Sequence, residues 1–270
     1  MTHVDTKQYG YVPSRIDSDH FVLGSYQSLP KVIIQPDGQW DKWLPRDEDQ
    51  SSSLLESFNC TSYNTCACFE VLLRKLNGVE EDKSDRFLGI ESGTRPPGND
   101  PHTVGQALRH CGLAPDQLLP FSSDIQTVDD YYSYKGGNES MCTEAGLAFL
   151  KRYDVGHEWV FASSVDKNVR TDLMKESLQY SPLGVSVSAW YEKNGVYVDF
   201  GLPNCHWTMI YGWNDQGWKC RDSYSPYEKI ISYDHNIQAC KRYSLTPKVQ
   251  VKQTFWQLLI SWLKELLTQL

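Results

Sequence analysis

Basic charge is scarce in this chain of 270 residues: 26 Lys and Arg stand against 34 Asp and Glu, a formal net charge of −8. No segment gathers Lys or Arg into a block, so the electrostatic footprint of a nucleic-acid binder is missing and nucleic acid is not an expected partner. Long apolar runs are also missing. No uninterrupted stretch reaches the roughly 20 residues that a membrane-spanning helix needs, and no transmembrane segment is expected. Met1-Thr2-His3-Val4-Asp5 has neither a basic start nor an apolar stretch, so secretion through a standard signal peptide is not expected either. Metal-ligand spacing is lacking as well. Cys66-Ala67-Cys68 would point its two thiols to different faces of a helix, and neither a metal nor another cofactor is expected. The cysteines number eight. An even count suggests disulfides in a small secreted domain, but in a chain this long reduced core cysteines are the better reading.

What is present is ordinary globular material, 40% hydrophobic and 13% aromatic, enough for one large core or two medium ones. Residues 1–30 lack periodicity and read as an extended arm lying on the surface. Lys31 to Gln35 reads as a short β-branched strand, followed by an Asp37-Gly38 turn. The helical patterns come mainly in residues 55–142. From 143 onward, after helical stretches at 143–153 and 166–179, alternating strands dominate: 183–189, 195–199, 205–213, 217–222, 229–233 and 240–245. Helices first and strands later imply an α+β domain over 31–250, with a helical lobe, a strand-rich lobe and a cleft between them. Residues 251–270 form an amphipathic pattern with a wide apolar face from Phe255 to Leu270. That face suits docking on another subunit or partner, or packing on its own domain.

Three segments carry chemistry. Phe58-Asn59-Cys60-Thr61-Ser62-Tyr63-Asn64 opens a helix whose apolar spacing runs through Leu72, Leu73 and Leu76 to a stop at Asn77-Gly78. Cys60 thus falls at the helix start, where unpaired N–H groups favour a thiolate and can receive an oxyanion. By itself this is weak, because a lone cysteine there is more often inert and buried. The second segment is the apolar strand Cys205 to Trp213, with His206 near its start, and the third is the strand Trp218 to Tyr224, ending in Asp222-Ser223-Tyr224. His206 lies 146 positions after Cys60, within the interval of roughly 130–150 that separates nucleophile and base in papain-like enzymes.

On these residues the chain resembles the papain family of cysteine peptidases. The family's nucleophile is followed by an aromatic, a small polar residue and a glutamate, as Cys60 is by Tyr63, Asn64 and Glu70. Its histidine opens a strand that ends in Gly and an aromatic, as in His206 to Gly212-Trp213. The family's third residue is Asn followed by Ser and an aromatic; here it is Asp222, a version most like the papain-like proteins of bacteria and phages. The resemblance spans about residues 10–245. It implies a papain-like two-lobe fold, with the nucleophile helix of a helical lobe packed on an antiparallel, barrel-like strand lobe. It also implies a peptidase in which Cys60 attacks, His206 moves the proton and Asp222 orients the imidazole.

The family's second oxyanion donor, a glutamine, sits six residues before the nucleophile. Position 54 is Leu, and Gln50 would need a four-residue insertion to take that role; a solvated loop glutamine is the other reading. Gly98, ahead of a helix over 103–110, matches the segment that pairs with extended substrate, or is simply a loop glycine. Trp207 follows the histidine, where the family has a small residue lining the pocket two positions before the scissile bond. An indole there would narrow the pocket toward small side chains, unless it turns into the core. Two other classes stay open: a silent papain-fold structural protein, such as a phage-particle component, and a Cys-dependent transpeptidase or amidase. A cytoplasmic or virion-associated setting fits all three.

Overall fold

The computed structural model describes residues 9–248 except 19, 26 and 27. The terminal amphipathic segment at 255–270 therefore lies outside the described residues. Among them, six α-helices and eight strands follow in the order α1 (Cys60–Asn77), α2 (Asp85–Glu91), α3 (Pro101–Cys111), α4 (Val128–Tyr131), α5 (Glu139–Arg152), β1 (Tyr153–Phe161), α6 (Lys167–Ser177), β2 (Leu183–Val187), β3 (Glu192–Lys193), β4 (Val196–Tyr197), β5 (His206–Trp213), β6 (Gly217–Arg221), β7 (Glu228–Ser232) and β8 (Cys240–Pro247). The strands form one sheet ordered β1-β8-β2-β5-β6-β7-β4-β3. All pairings are antiparallel except β4 with β7. This is the papain-like α+β fold, and no helix of the described residues is long and apolar enough to cross a membrane.

The central element is α1. It is buried from Cys60 to Cys66 and again from Cys68 to Leu73, because it packs on α2 and α3 on one side and on β2, β5 and β8 on the other. Gly78, at φ 76°, turns the chain out of the helix and returns its N–H to the Arg74 carbonyl, a left-handed stop that a side chain would strain. β5 is buried from His206 to Gly212 because it lies inside the sheet, between β2 and β6. Helix start and strand start therefore meet where the helical layer touches the sheet.

Two local expectations shift. α3 begins at Pro101 rather than Thr103: Asp100 caps it, accepting from the His102 and Thr103 N–H groups, and Pro101 fills the first turn, where its missing N–H costs nothing. Residues 31–35 are not a strand. Ile34 and Gln35 both donate to the Gln179 carbonyl, and Val32 and Ile33 are exposed. The β-branched side chains of Val32, Ile33 and Ile34 favour extended backbone, but among the described residues no strand pairs with them to complete a ladder.

Candidate active site

β5 and β6 carry the imidazole and its carboxylate. The antiparallel register sets Met209 opposite Arg221, which brings the start of β5 to the end of β6. His206 Nε2 donates to Asp222 Oδ1 at 2.5 Å, and both side chains are fully buried. The other carboxylate oxygen accepts from Lys229 Nζ at 2.7 Å. Lys229 also donates to the carbonyls of Tyr224 and Pro226. Burial pushes the Asp222 carboxyl up, but the neighbouring His206 and Lys229 outweigh it and hold it below its ordinary value. The carboxylate therefore stays ionised between two donors. His206 Nδ1 is buried and has no hydrogen-bond partner among the described residues.

Lys229 was not foreseen, although a signal existed. On β7 the inward positions are Lys229 and Ile231, so the period of two places a lysine on the apolar face, where it must find an anion.

Cys60 is the first residue of α1 and is fully buried. Asn64 ties the helix start to β5: its Nδ2 donates to the carbonyls of Cys60 and Trp207, at 2.9 and 2.5 Å. The Trp207 backbone N–H in turn donates to the Cys60 sulfur. That bond favours the thiolate, yet desolvation dominates and the thiol is pushed well above its ordinary value. The helix start alone argued for an acidified thiol; burial in the folded chain reverses the sign.

Gln50, read as either an oxyanion donor or a loop residue, is fully buried. Its Oε1 accepts from the Ser223 hydroxyl at 2.6 Å. Its Nε2 donates to the Tyr9 carbonyl and to Glu56 Oε1, each at 3.1 Å. A solvated loop glutamine is thereby excluded. The amide is aimed, and a carbonyl oxygen from another segment already occupies one of its donors.

That segment is the arm. Tyr9 and Tyr11 are 5% and 4% exposed, so residues 9–12 do not lie on the surface; they fill the groove between α3's lead-in and β5. The Tyr9 and Tyr11 N–H groups donate to the Cys205 carbonyl. On the other side Asn99 N–H donates to the Gly10 carbonyl and Val12 N–H to the Asn99 carbonyl, in a parallel bridge of Tyr11 with Asn99. Gly98, at φ 133°, permits the approach: a Cβ there would stand 1.8 Å from the Gly10 carbonyl oxygen. The Tyr9 ring meets the His206 ring edge-on at 5.3 Å, and Tyr11 stacks on Trp207 at 5.6 Å and 16°. Trp207 is fully buried. Its indole sits over Gly184, whose Cβ would fall 2.6 Å from Nε1, and presents a flat face to Tyr11. Periodicity could not reveal this arm, because its pairing is with segments some 90 and 190 residues away in sequence.

A buried Cys, a His bonded to an ionised Asp, and a buried glutamine lie near the junction of a helical layer and a sheet. Solved structures similar to the chain include several cysteine proteases. Xylellain, a cysteine protease from Xylella fastidiosa, matches with a TM-score of 0.59 and 16% identity over 92% of this chain and 98% of its own. Digestive procathepsin L2 of the Tenebrio molitor larval midgut matches with a TM-score of 0.60 and 13% identity over 90% of this chain and 78% of its own. Bromelain from Ananas comosus, in complex with the E64 inhibitor, matches with a TM-score of 0.53 and 14% identity over 77% of this chain and 98% of its own. No protein-family model and no curated protein matches the chain. At these identities the likeness establishes the fold.

Proposed function

We propose that the chain is a cysteine peptidase that hydrolyses peptide bonds through Cys60, His206 and Asp222. The observation that carries this reading is the state of His206. Asp222 holds Nε2, and the buried Nδ1 has no partner, on a strand whose next residue donates to the Cys60 sulfur. A ring fixed in this way accepts the thiol proton at Nδ1, and the thiolate attacks the carbonyl carbon. The oxyanion is received by the N–H at the start of α1 and by Gln50 Nε2, which in the resting chain donates to the Tyr9 carbonyl. His206 then returns the proton to the leaving amine as the C–N bond breaks, leaving a thioester. Water attacks the thioester and gives up its proton to His206; the acid departs and Cys60 is restored. Asp222 and Lys229 keep the imidazole in one tautomer and plane throughout.

The arm runs from the imidazole at Tyr9 to the Trp207 pocket at Tyr11. A substrate whose side chain two positions before the scissile bond enters that pocket would run in the opposite sense. The occupied cleft and the raised thiol favour one second reading, a catalytically silent scaffold. An epoxide-type inactivator with mass mapping of the adduct separates the two. The peptidase reading expects Cys60 to be labelled, slowly in the native chain and faster in Tyr11→Ala. Absence of Cys60 adduct in both proteins would overturn it.

A further inference from the structure

We infer that the pocket holding Tyr11 is a tyrosine pocket, in which the Ser186 hydroxyl distinguishes a substrate's tyrosine from phenylalanine. The inference rests on the peptidase reading above. It replaces the expectation that Trp207 restricts the site to small side chains.

The geometry comes from three sides. Trp207 is fully buried and is held by edge contact with Trp159 at 6.5 Å and by the missing side chain of Gly184, so its indole face is a rigid plane. Tyr11 lies on that plane nearly parallel, at 16°, an arrangement that suits an aromatic ring better than an aliphatic chain. At the far end the Tyr11 side chain is hydrogen-bonded to that of Ser186. Ser186 Oγ already accepts from Asn204 Nδ2 at 2.8 Å and from the Ala239 N–H at 2.9 Å. A hydroxyl has two lone pairs and one proton. With both lone pairs engaged, the Ser186 proton points at the phenol, whose oxygen accepts it.

Ser186 is fully buried, so a ring without an acceptor at that place leaves an O–H donor unmatched, and a site of this kind discriminates against the analogue that lacks the group. Burial, opposed by the Ser186 bond and helped by the Asp100 carboxylate, raises the Tyr11 phenol to about 12. The same negative charge disfavours an acidic side chain in the pocket. The arm reaches the pocket in the reverse sense, but a pocket closed around a side chain reads that side chain and not the direction of the backbone behind it.

The test uses the full chain with Tyr11→Ala, which empties the pocket, and it has two readouts. Binding is measured calorimetrically on Tyr11→Ala combined with Cys60→Ala, using blocked peptides acetyl-Ala-Xaa-Gly-Ala-amide in which Xaa is Tyr, Phe, Ala or Glu. Turnover is measured on Tyr11→Ala alone with acetyl-Xaa-Gly coumarylamides carrying the same four side chains. The expected result is a Tyr peptide bound about tenfold more tightly than the Phe peptide, Ala and Glu weaker still, and the same order in kcat/KM. Adding Ser186→Ala should level Tyr with Phe, weakening Tyr by loss of its partner and strengthening Phe by removal of the unmatched donor. If that variant does not fold, the Tyr-to-Phe ratio in the Ser186 protein decides alone. Turnover with Tyr and Phe equal, or with Ala preferred, overturns the pocket and leaves the peptidase standing. Tyr-selective binding without turnover retires the peptidase and keeps the pocket. Absence of both overturns both.

Discussion

Replacing Lys229 with methionine isolates the charge that balances Asp222. Lys229 Nζ stands 2.7 Å from Asp222 Oδ2, with the lysine side chain 2% and the aspartate side chain 0% exposed. At that separation, with an effective dielectric of about 20, the attraction is about 6 kcal/mol. Desolvation offsets part of it, and breaking one partner of such a pair typically costs about 3–5 kcal/mol, because the remaining charge is buried uncompensated. For a domain of this size that corresponds to a fall in Tm on the order of 10 °C at neutral pH.

The pH dependence identifies the cause. Asp222 titrates below its ordinary value in the folded chain, so its contribution to stability is present above the unfolded carboxyl pKa and is lost as pH falls through the folded one. Without Lys229 the folded carboxyl rises, the uncompensated charge disappears on protonation, and the gap between wild type and Lys229→Met narrows toward pH 4. Melting curves from pH 4 to 8 measure it. A gap that is the same at every pH would mean lost packing rather than lost charge, and would refute the account of Lys229 as the counter-ion of Asp222.

Three further outcomes are expected. His206→Ala should abolish turnover of a peptide substrate while the chain still folds, as circular dichroism would show, whereas Asp222→Asn should keep measurable kcat/KM, since an amide oxygen still accepts from Nε2; equal loss in both would show that the charge, not the geometry, is required. Gly98→Ala places a Cβ 1.8 Å from the Gly10 carbonyl oxygen, so residues 9–12 should be displaced and Cys60 alkylated by iodoacetamide at least roughly tenfold faster, one decade being about 1.4 kcal/mol of weakened arm contact; an unchanged rate would mean that the arm does not limit access. Glu48 is pushed up to about 8 by burial and by the neighbouring Asp82, so the stability it contributes is full below its unfolded pKa and lost as pH rises toward 8. Glu48→Gln should flatten the decline of Tm between pH 5 and 9, and a slope equal to that of the wild type would exclude Glu48 as its source.

The order of elements was legible in the sequence because each signal is local. The helix from Cys60 ends at Asn77-Gly78 as its apolar spacing and its glycine stop require, and the strands that carry His206 and Cys220 fall where the alternation puts them. The spacing from Cys60 through His206 to Asp222 pointed to the papain-like fold, which the structure has.

The electrostatic state of the site was not legible, since it depends on what surrounds each group in space. A helix start favours a thiolate, but complete burial of Cys60 outweighs it. Nothing near Asp222 in the sequence shows that Lys229, inward on a neighbouring strand, balances its charge. Gln50 had two readings until its amide was found aimed at the Tyr9 carbonyl. The arm itself carries no periodicity, and only the folded chain brings Tyr9 to His206 and Tyr11 to Trp207. Sequence patterns record which face of an element is apolar; contacts between segments far apart in the chain, and the desolvation those contacts impose, are decided only when the whole core closes.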